Sequence, residues 1–393
     1  MFTSKTCEQA FRLMFVLVFL AGCTPSKPML PPGPTLLPPP PKLTQPITPQ
    51  QPLQPVQANL FKFVQTIQVT PDENYSGVIV GFCRINYVPA TDKFAVTFEA
   101  KLAQPSGGCK ESGYAYKEYT IDMQETGKTG VFSCKTEDSG SIMVDNTYYF
   151  AVADMSNYGW QVLKLDAANW TKLAETSISL NPKEKYKNSD PLVAFVNGQL
   201  DISSQYNITG DWPEGGAATF HKFFTSDLQP LGEKMLDNPP HVCGMSMVYV
   251  DDVYYLVTAN SYKGDLVVMT YDKDWKYLGG KTLIQKANWS TGLLYDNQRF
   301  YLAYIDTSQR TEPGYFPVYE NVHLAAFDRD WNLIEDMAVT NYAPATMVAG
   351  RPWLIQHANR LYVSYDVDTI DLAHPEKHNS QALVSVYELT KMP

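Results

Sequence analysis

Met245-Ser-Met-Val-Tyr-Val-Asp-Asp252, Val253-Tyr-Tyr-Leu-Val-Thr-Ala259, Asp265-Leu-Val-Val-Met-Thr-Tyr271, Asp272-Lys-Asp-Trp275 and Lys276-Tyr-Leu-Gly-Gly-Lys-Thr-Leu283 follow one another along the chain. Short apolar, β-branched and aromatic runs alternate with tight polar turns, so the stretch reads as four antiparallel strands. The pattern then recurs. Gly292–Asp296, Arg299–Tyr304, Val322–Phe327, the turn Asp328-Arg-Asp-Trp331 and Asn332–Ile334 repeat the order. Earlier copies end in Asp166 through Trp170 to Leu173 and in Phe224 to Leu231. Equivalent leucines and an isoleucine fall at Leu173, Leu231, Leu278 and Ile334, with spacings of 58, 47 and 56 residues.

A repeat of this length holding four strands is the signature of a β-propeller. The expected fold is all-β, a six-bladed propeller over residues 60–393, with five or seven blades as the alternatives. Complete units lie near 140–181, 190–237, 243–285 and 291–340, and a more irregular one runs from about 76 to 134. The last unit, with strands at Trp353, Arg360 and Ala382, lacks a fourth strand. Leu60–Val69 is a strand-like run without a unit of its own, so it is expected to fill that vacant edge and close the ring.

Upstream of residue 60 the chain changes character. Lys5 and Arg12 precede an apolar run, Leu13 to Leu20, that is too short to span a bilayer and reads as a signal-peptide core. Leu20-Ala21-Gly22-Cys23 follows, and this tetrapeptide resembles the lipobox of bacterial lipoproteins. That resemblance implies cleavage before Cys23, lipidation of Cys23, and an exported protein held at a membrane by lipid. Thr24 in place of aspartate implies the outer membrane of a Gram-negative envelope. Residues 1–22 are then the signal peptide, and 23–59 a Pro-rich tether that includes Pro38-Pro39-Pro40-Pro41. Such a segment cannot bury a core; at roughly 3 Å per residue it reaches up to about 100 Å.

The 393 residues carry a net charge of −10 and no basic runs, which argues against nucleic acid and anionic lipid surfaces as partners. The partners expected are a membrane, through the lipid, and a protein or glycan ligand. Cys83, Cys109, Cys134 and Cys243 allow three disulfide connectivities in an exported protein. Cys109 with Cys134 would close a loop in the first repeat, leaving Cys83 and Cys243.

Propeller ligands usually sit where loops enter the innermost strands. Those positions read as Ser139 and Ser141, Ser189 and Asp190, His241 and Cys243, Trp289 and Ser290, and Arg351 with Trp353. Asp190, His241, Trp289 and Arg351 supply an acid, an imidazole, an indole and a guanidinium, a set suited to a carboxylated or hydroxylated ligand. Asp190-Pro191 resembles, over two residues, the Asp-Pro that opens blades in five-bladed glycosidase propellers. That resemblance implies a catalytic acid, base or nucleophile at Asp190. The chain lacks the sialidase Asp-box, a Gly-x-Ser-x-Gly elbow and His-Glu-x-x-His.

No cofactor is expected. Asp366, Asp368 and Asp371 are the best calcium candidates, but without the glycine and closing glutamate of an EF-hand loop. The Asp272/Asp274 and Asp328/Asp330 pairs read as hairpin turns bonded to their own backbone, each with an indole packed between blades. The favoured function is a non-catalytic binding module; the alternative is a propeller-type glycoside hydrolase or lyase acting on polysaccharide.

Overall fold

A computed structural model of the chain describes residues 60–78, 82–135, 139–154, 159–179, 191–207, 217–236, 242–259, 264–308, 321–342, 347–369 and 379–390. Apart from a single 3-10 turn at Pro89–Thr91, every regular element among them is a strand. Six come first: β1 (Phe61–Gln68), β2 (Tyr75–Val78), β3 (Arg84–Val88), β4 (Lys93–Leu102), β5 (Ser112–Tyr119) and β6 (Glu125–Ser133). The first quartet is β7 (Ser139–Val144), β8 (Thr147–Asp154), β9 (Gly159–Asp166) and β10 (Thr171–Ser179). The second is β11 (Leu192–Val196), β12 (Gln199–Asn207), β13 (Ala217–Phe224) and β14 (Pro230–Leu236). The third is β15 (Val242–Val250), β16 (Val253–Ala259), β17 (Asp265–Asp272) and β18 (Tyr277–Gln285). The fourth is β19 (Ala287–Asp296), β20 (Arg299–Asp306), β21 (Asn321–Phe327) and β22 (Leu333–Ala338). The chain closes with β23 (Met347–His357), β24 (Arg360–Thr369) and β25 (Asn379–Leu389).

Each quartet is an antiparallel sheet in chain order. The remaining strands form one nine-stranded sheet ordered β23-β24-β25-β2-β4-β5-β6, with β1 on β25 and β3 on β4. β1 runs antiparallel to β25 from Phe61 opposite Leu389 to Gln68 opposite Leu383. The N-terminal strand thus pairs with the last strand, as the missing fourth strand of the final unit predicts. Strands β3, β7, β11, β15, β19 and β23 lie beside one another in succession, and β23 returns to β3. The result is a propeller-like ring of antiparallel sheets.

Strand periodicity explains the core. On β8, Tyr148, Phe150 and Val152 pack with Ala95 and Tyr114 of the preceding sheet. Their alternates Tyr149, Ala151 and Ala153 pack with Val193, Leu200 and Ile202 of the following one. Successive side chains point to opposite faces, and both faces are covered, so the strand reads as an almost unbroken apolar run.

The Asp/Trp turns are structural. The Asp272 carboxylate accepts the N–H groups of Asp274 and Lys276, both at 2.9 Å. Asp328 does the same for Asp330 (2.9 Å) and Asn332 (2.8 Å). Trp170, Trp275 and Trp331 all take the left-handed conformation, with φ of 62°, 64° and 61°. Leu228 (61°) and Met123 (61°) occupy the same place in the two turns that lack an indole. Each indole then lies against aromatic rings: Trp275 stacks on Tyr254 at 3.9 Å and meets His221 of the preceding sheet at 4.4 Å.

The recurrent leucines also have one structural role. Leu173, Leu231, Leu278 and Ile334 each fall at a register shift between an outer strand and its partner. A bulge at the outer edge twists that edge away from pairing with another chain.

Of the cysteines, Cys109 and Cys134 form a disulfide, and Cys83 is a buried free thiol. The second pairing that the sequence allows, Cys83 with Cys243, is therefore not made. No helix among the described residues is long and apolar enough to cross a membrane. Cys23 and the rest of residues 1–59 lie outside the described residues.

Candidate functional site

Arg351 enters the ring on a bulge. Gly350 pairs with Asp366 and Trp353 with Ser364, which leaves Arg351 and Pro352 between two ladder positions. The Arg351 backbone is left-handed, with φ of 44°, an uncommon state for a long side chain. Similar register shifts occur between Asn288 and Gly292 on β19 and between Val242 and Ser246 on β15. The entry positions read from sequence therefore coincide with bulges on three successive inner strands. Trp289 belongs to the β19 bulge, but its side chain lies outside the described set. Asp190 and His241 lie outside the described residues altogether. Of the four candidate ligand residues, Arg351 is the one whose side chain is placed.

The Arg351 guanidinium lies 4.7 Å from the Phe82 ring centroid. A second arginine has a matching arrangement on the neighbouring inner strand. Arg84, at the start of β3, holds its guanidinium 4.8 Å from the Trp353 ring centroid. It also donates to the Ser139 carbonyl (2.9 Å) and to the Ser141 carbonyl and hydroxyl (both 3.2 Å). Ser139 and Ser141, expected at a ligand face, are buried and serve as acceptors for Arg84. Arg84 escaped the sequence reading because the first unit is the irregular one, and its inner strand did not align with the others. The only signal was an arginine immediately before an apolar run.

Across from Gly350 lies Asp366, 3% exposed. One of its carboxylate oxygens has no hydrogen-bond partner. A Cβ at Gly350 would stand 3.2 and 3.3 Å from the two oxygens, so the carboxyl is pressed against bare backbone. Burial pushes the Asp366 pKa up to about 7; the Arg351 cation opposes the shift and the Asp368 charge adds to it. Burial, with the Asp366 charge, likewise pushes the Cys83 thiol up, which makes it a poor nucleophile. Ser364 fixes the wall between these groups: it accepts the Ile85 N–H at 3.0 Å and donates to the Cys83 carbonyl at 2.9 Å.

At the other end of the channel, a cavity of about 600 Å³ lies among the C-terminal halves of β3, β7, β19 and β23. Asn86, Tyr87, Asp145, Asp296, Trp353 and Gln356 contribute to its wall. Gln356 donates to Asp296 at 2.8 Å across two sheets.

Two histidine clusters lie off the channel. His221 contacts both Asp201 oxygens (2.9 and 3.1 Å), with both side chains fully buried. The neighbouring Ser203 hydroxyl has no hydrogen-bond partner, so the three do not form a relay. His323 meets Asp336 at 3.1 Å, and Tyr304 donates to the same carboxylate at 2.8 Å. Among the described residues, no group of three or more His, Cys, Asp or Glu side chains is placed to hold a metal ion. Of the calcium candidates, Asp368 accepts a hydrogen bond from Ser380, and Asp371 lies outside the described residues.

No family model matches the chain, and no curated protein matches it. Two solved structures share its general arrangement at a distance. One is a subtype N10 neuraminidase-like protein of A/little yellow-shouldered bat/Guatemala/060/2010. It has 8% identity and a TM-score of 0.49, over 84% of this chain and 100% of that one. The other is a neuraminidase-like protein from A/bat/Guatemala/164/2009, with 9% identity and a TM-score of 0.49, over 84% of this chain and 96% of that one. No residue role is carried over from either.

Proposed function

We propose that the chain is an exported lipoprotein whose six-bladed propeller binds a carboxylate-bearing group of a protein or cell-envelope glycan, without turning it over. The observation that carries this reading is the Arg351 guanidinium, laid over the Phe82 ring at the bulge of an inner-strand entry. A stacked guanidinium keeps its in-plane N–H donors directed outward, the geometry that suits a carboxylate. Trp289 belongs to the next bulge in the ring, and the sequence reading adds its indole, with Asp190 and His241, to the expected ligand set.

The count of six is our reading of the nine-stranded sheet as two blades divided at β2. On one side β3-β4-β5-β6 makes a blade, on the other β23-β24-β25-β1 makes another, and the four quartets bring the number to six. The location rests on Cys23 and the Pro-rich tether. Replacing Cys23 with Ser should shift the protein out of the detergent phase; retention there would remove the lipid from the account.

Binding and turnover are tested together by screening residues 59–393 against envelope polysaccharides. Arg351→Ala should weaken capture by about 1–2 kcal/mol with a nearly constant Tm. Turnover that disappears in Asp190→Asn would replace the binding module with a glycoside hydrolase or lyase.

A further inference from the structure

We infer that the cavity at the exit end of the channel is a second binding site, which takes an organic ammonium group carried on a small apolar body. It stands apart from the carboxylate reading above, since it involves neither Arg351 nor the inner-strand entries.

The strands place two acids on this wall by one rule. Asp296 is the last residue of β19, and Asp145 follows Val144 at the end of β7. Both therefore stand where an inner strand turns into the second strand of its sheet. Left-handed residues make these tight turns: Asp145 itself (φ 52°) in one, Asn297 and Gln298 (49° and 65°) in the other. Asp145 is exposed. Asp296 accepts from Gln356 at 2.8 Å and from Asn297; both bonds fall on Oδ2, so Oδ1 remains for a ligand.

No lysine or arginine contributes to the wall. Arg84, although it lies over the Trp353 ring, donates to the β7 carbonyls. Arg299 and Arg360 engage the hydroxyls of Tyr301 and Tyr362, and His357 packs on Tyr87 at 4.0 Å. Leu294, Tyr295, Trp353 and Ile355 give the wall its apolar and aromatic part. Two carboxylates on such a wall favour a cation, whose N–H groups they accept while its body covers the apolar surface. At about 600 Å³ the cavity far exceeds what a single water or bare ion needs, and it matches a small organic molecule.

A second observation points the same way. Three wall residues each hold a buried polar atom without a hydrogen-bond partner: the Tyr295 hydroxyl, the Trp353 indole nitrogen and the Gln356 amide oxygen. Buried polar groups are normally paired, and a cluster of exceptions at one cavity marks a surface that a bound molecule completes.

Three probes of one shape and different charge test the site: benzylamine, benzyl alcohol and benzoate, each titrated into the intact protein at pH 7. The reporter is the Trp353 indole resonance in protein labelled at the tryptophan indole nitrogens, identified by its loss in Trp353→Phe. Benzylamine should move it saturably in the millimolar range, benzyl alcohol should bind at least tenfold more weakly, and benzoate should leave it in place. Asp296→Asn should weaken benzylamine about tenfold, and Asp145→Asn, at a more exposed carboxylate, about threefold. Should Asp296→Asn fail to fold, Asp145→Asn in its exposed turn still decides the matter. Asp274→Asn, which removes the same charge from an outer turn, should change nothing. No saturable shift with benzylamine, or an equal response to all three probes, overturns the site. Affinity unmoved by the Asp145 and Asp296 substitutions, or lowered as much by Asp274→Asn, overturns the role of the two acids and the inference with it.

Discussion

The Arg84 guanidinium lies 4.8 Å from the centroid of the Trp353 indole, joining the inner strand of the first unit to that of the last. The same group donates to carbonyls at both Ser139 and Ser141, so one side chain ties three successive inner strands. Arg84 is 7% exposed. Arg84→Met keeps the stem and removes the donors, leaving buried carbonyls without a partner. The expected loss is on the order of 2–4 kcal/mol, seen as a fall of several degrees in the calorimetric Tm. An unchanged Tm would show that closure of the ring does not depend on this contact.

Lys117 holds the N-terminal segment to β5 and β6. Its ammonium, 2% exposed, pairs with Asp72, meets Glu125 at 3.0 Å and donates to the Val69 carbonyl at 3.1 Å. Lys117→Met should cost on the order of 3 kcal/mol in urea unfolding, because it leaves Asp72 and a buried carbonyl without their cation. Glu125 is nearly half exposed and contributes less. Adding Asp72→Asn should recover part of the loss; no recovery would assign the effect to lost packing of the lysine stem.

The indoles of the Asp/Trp turns are packing elements between sheets. Trp275→Ala and Trp331→Ala should each cost about 3–5 kcal/mol. The turn acids behave differently. Backbone N–H groups of Lys276 and Asn332 hold the Asp272 and Asp328 carboxyls below their ordinary range. Their contribution is therefore present above the ordinary aspartate pKa and fades as the pH falls through the lowered one. Asp328→Asn should flatten the acid side of the stability profile, while a profile identical to wild type would leave the turn bonds energetically idle.

Asp366 has the opposite sign. Its folded-state pKa, about 7, lies above its unfolded one, so the chain loses stability as the pH rises from about 4 to about 7. A span of about three pH units corresponds to at most about 4 kcal/mol. Asp366→Asn should be more stable than wild type at neutral pH and lack this slope. Parallel urea-midpoint profiles for the two proteins would rule the effect out.

Much of the architecture was legible because it is local. Period-two alternation and turn chemistry specify the hairpins of β15 to β18 without reference to distant residues. The spacing of Leu173, Leu231, Leu278 and Ile334 marks one bulge per repeat, and the unpaired run at Leu60–Val69 announces the strand that joins β25. The entry of Arg351 onto a bulge was approached in the same way, through the position of the residue in its repeat.

What the tertiary structure alone decided are contacts between units. That Arg84 spans to Trp353 and Ser139, and that Ser364 of the last unit bonds Ile85 and the Cys83 carbonyl of the first, depend on which faces meet when the ring closes. Closure brings residues separated by hundreds of positions within a few ångströms, and no periodicity in the chain encodes that proximity. The sequence by itself determined the repeating strand unit, because alternation and turn residues act over a few positions. The chemistry at the channel entry arises from burial and charge across unit boundaries, which exist only once the sheets are packed against one another.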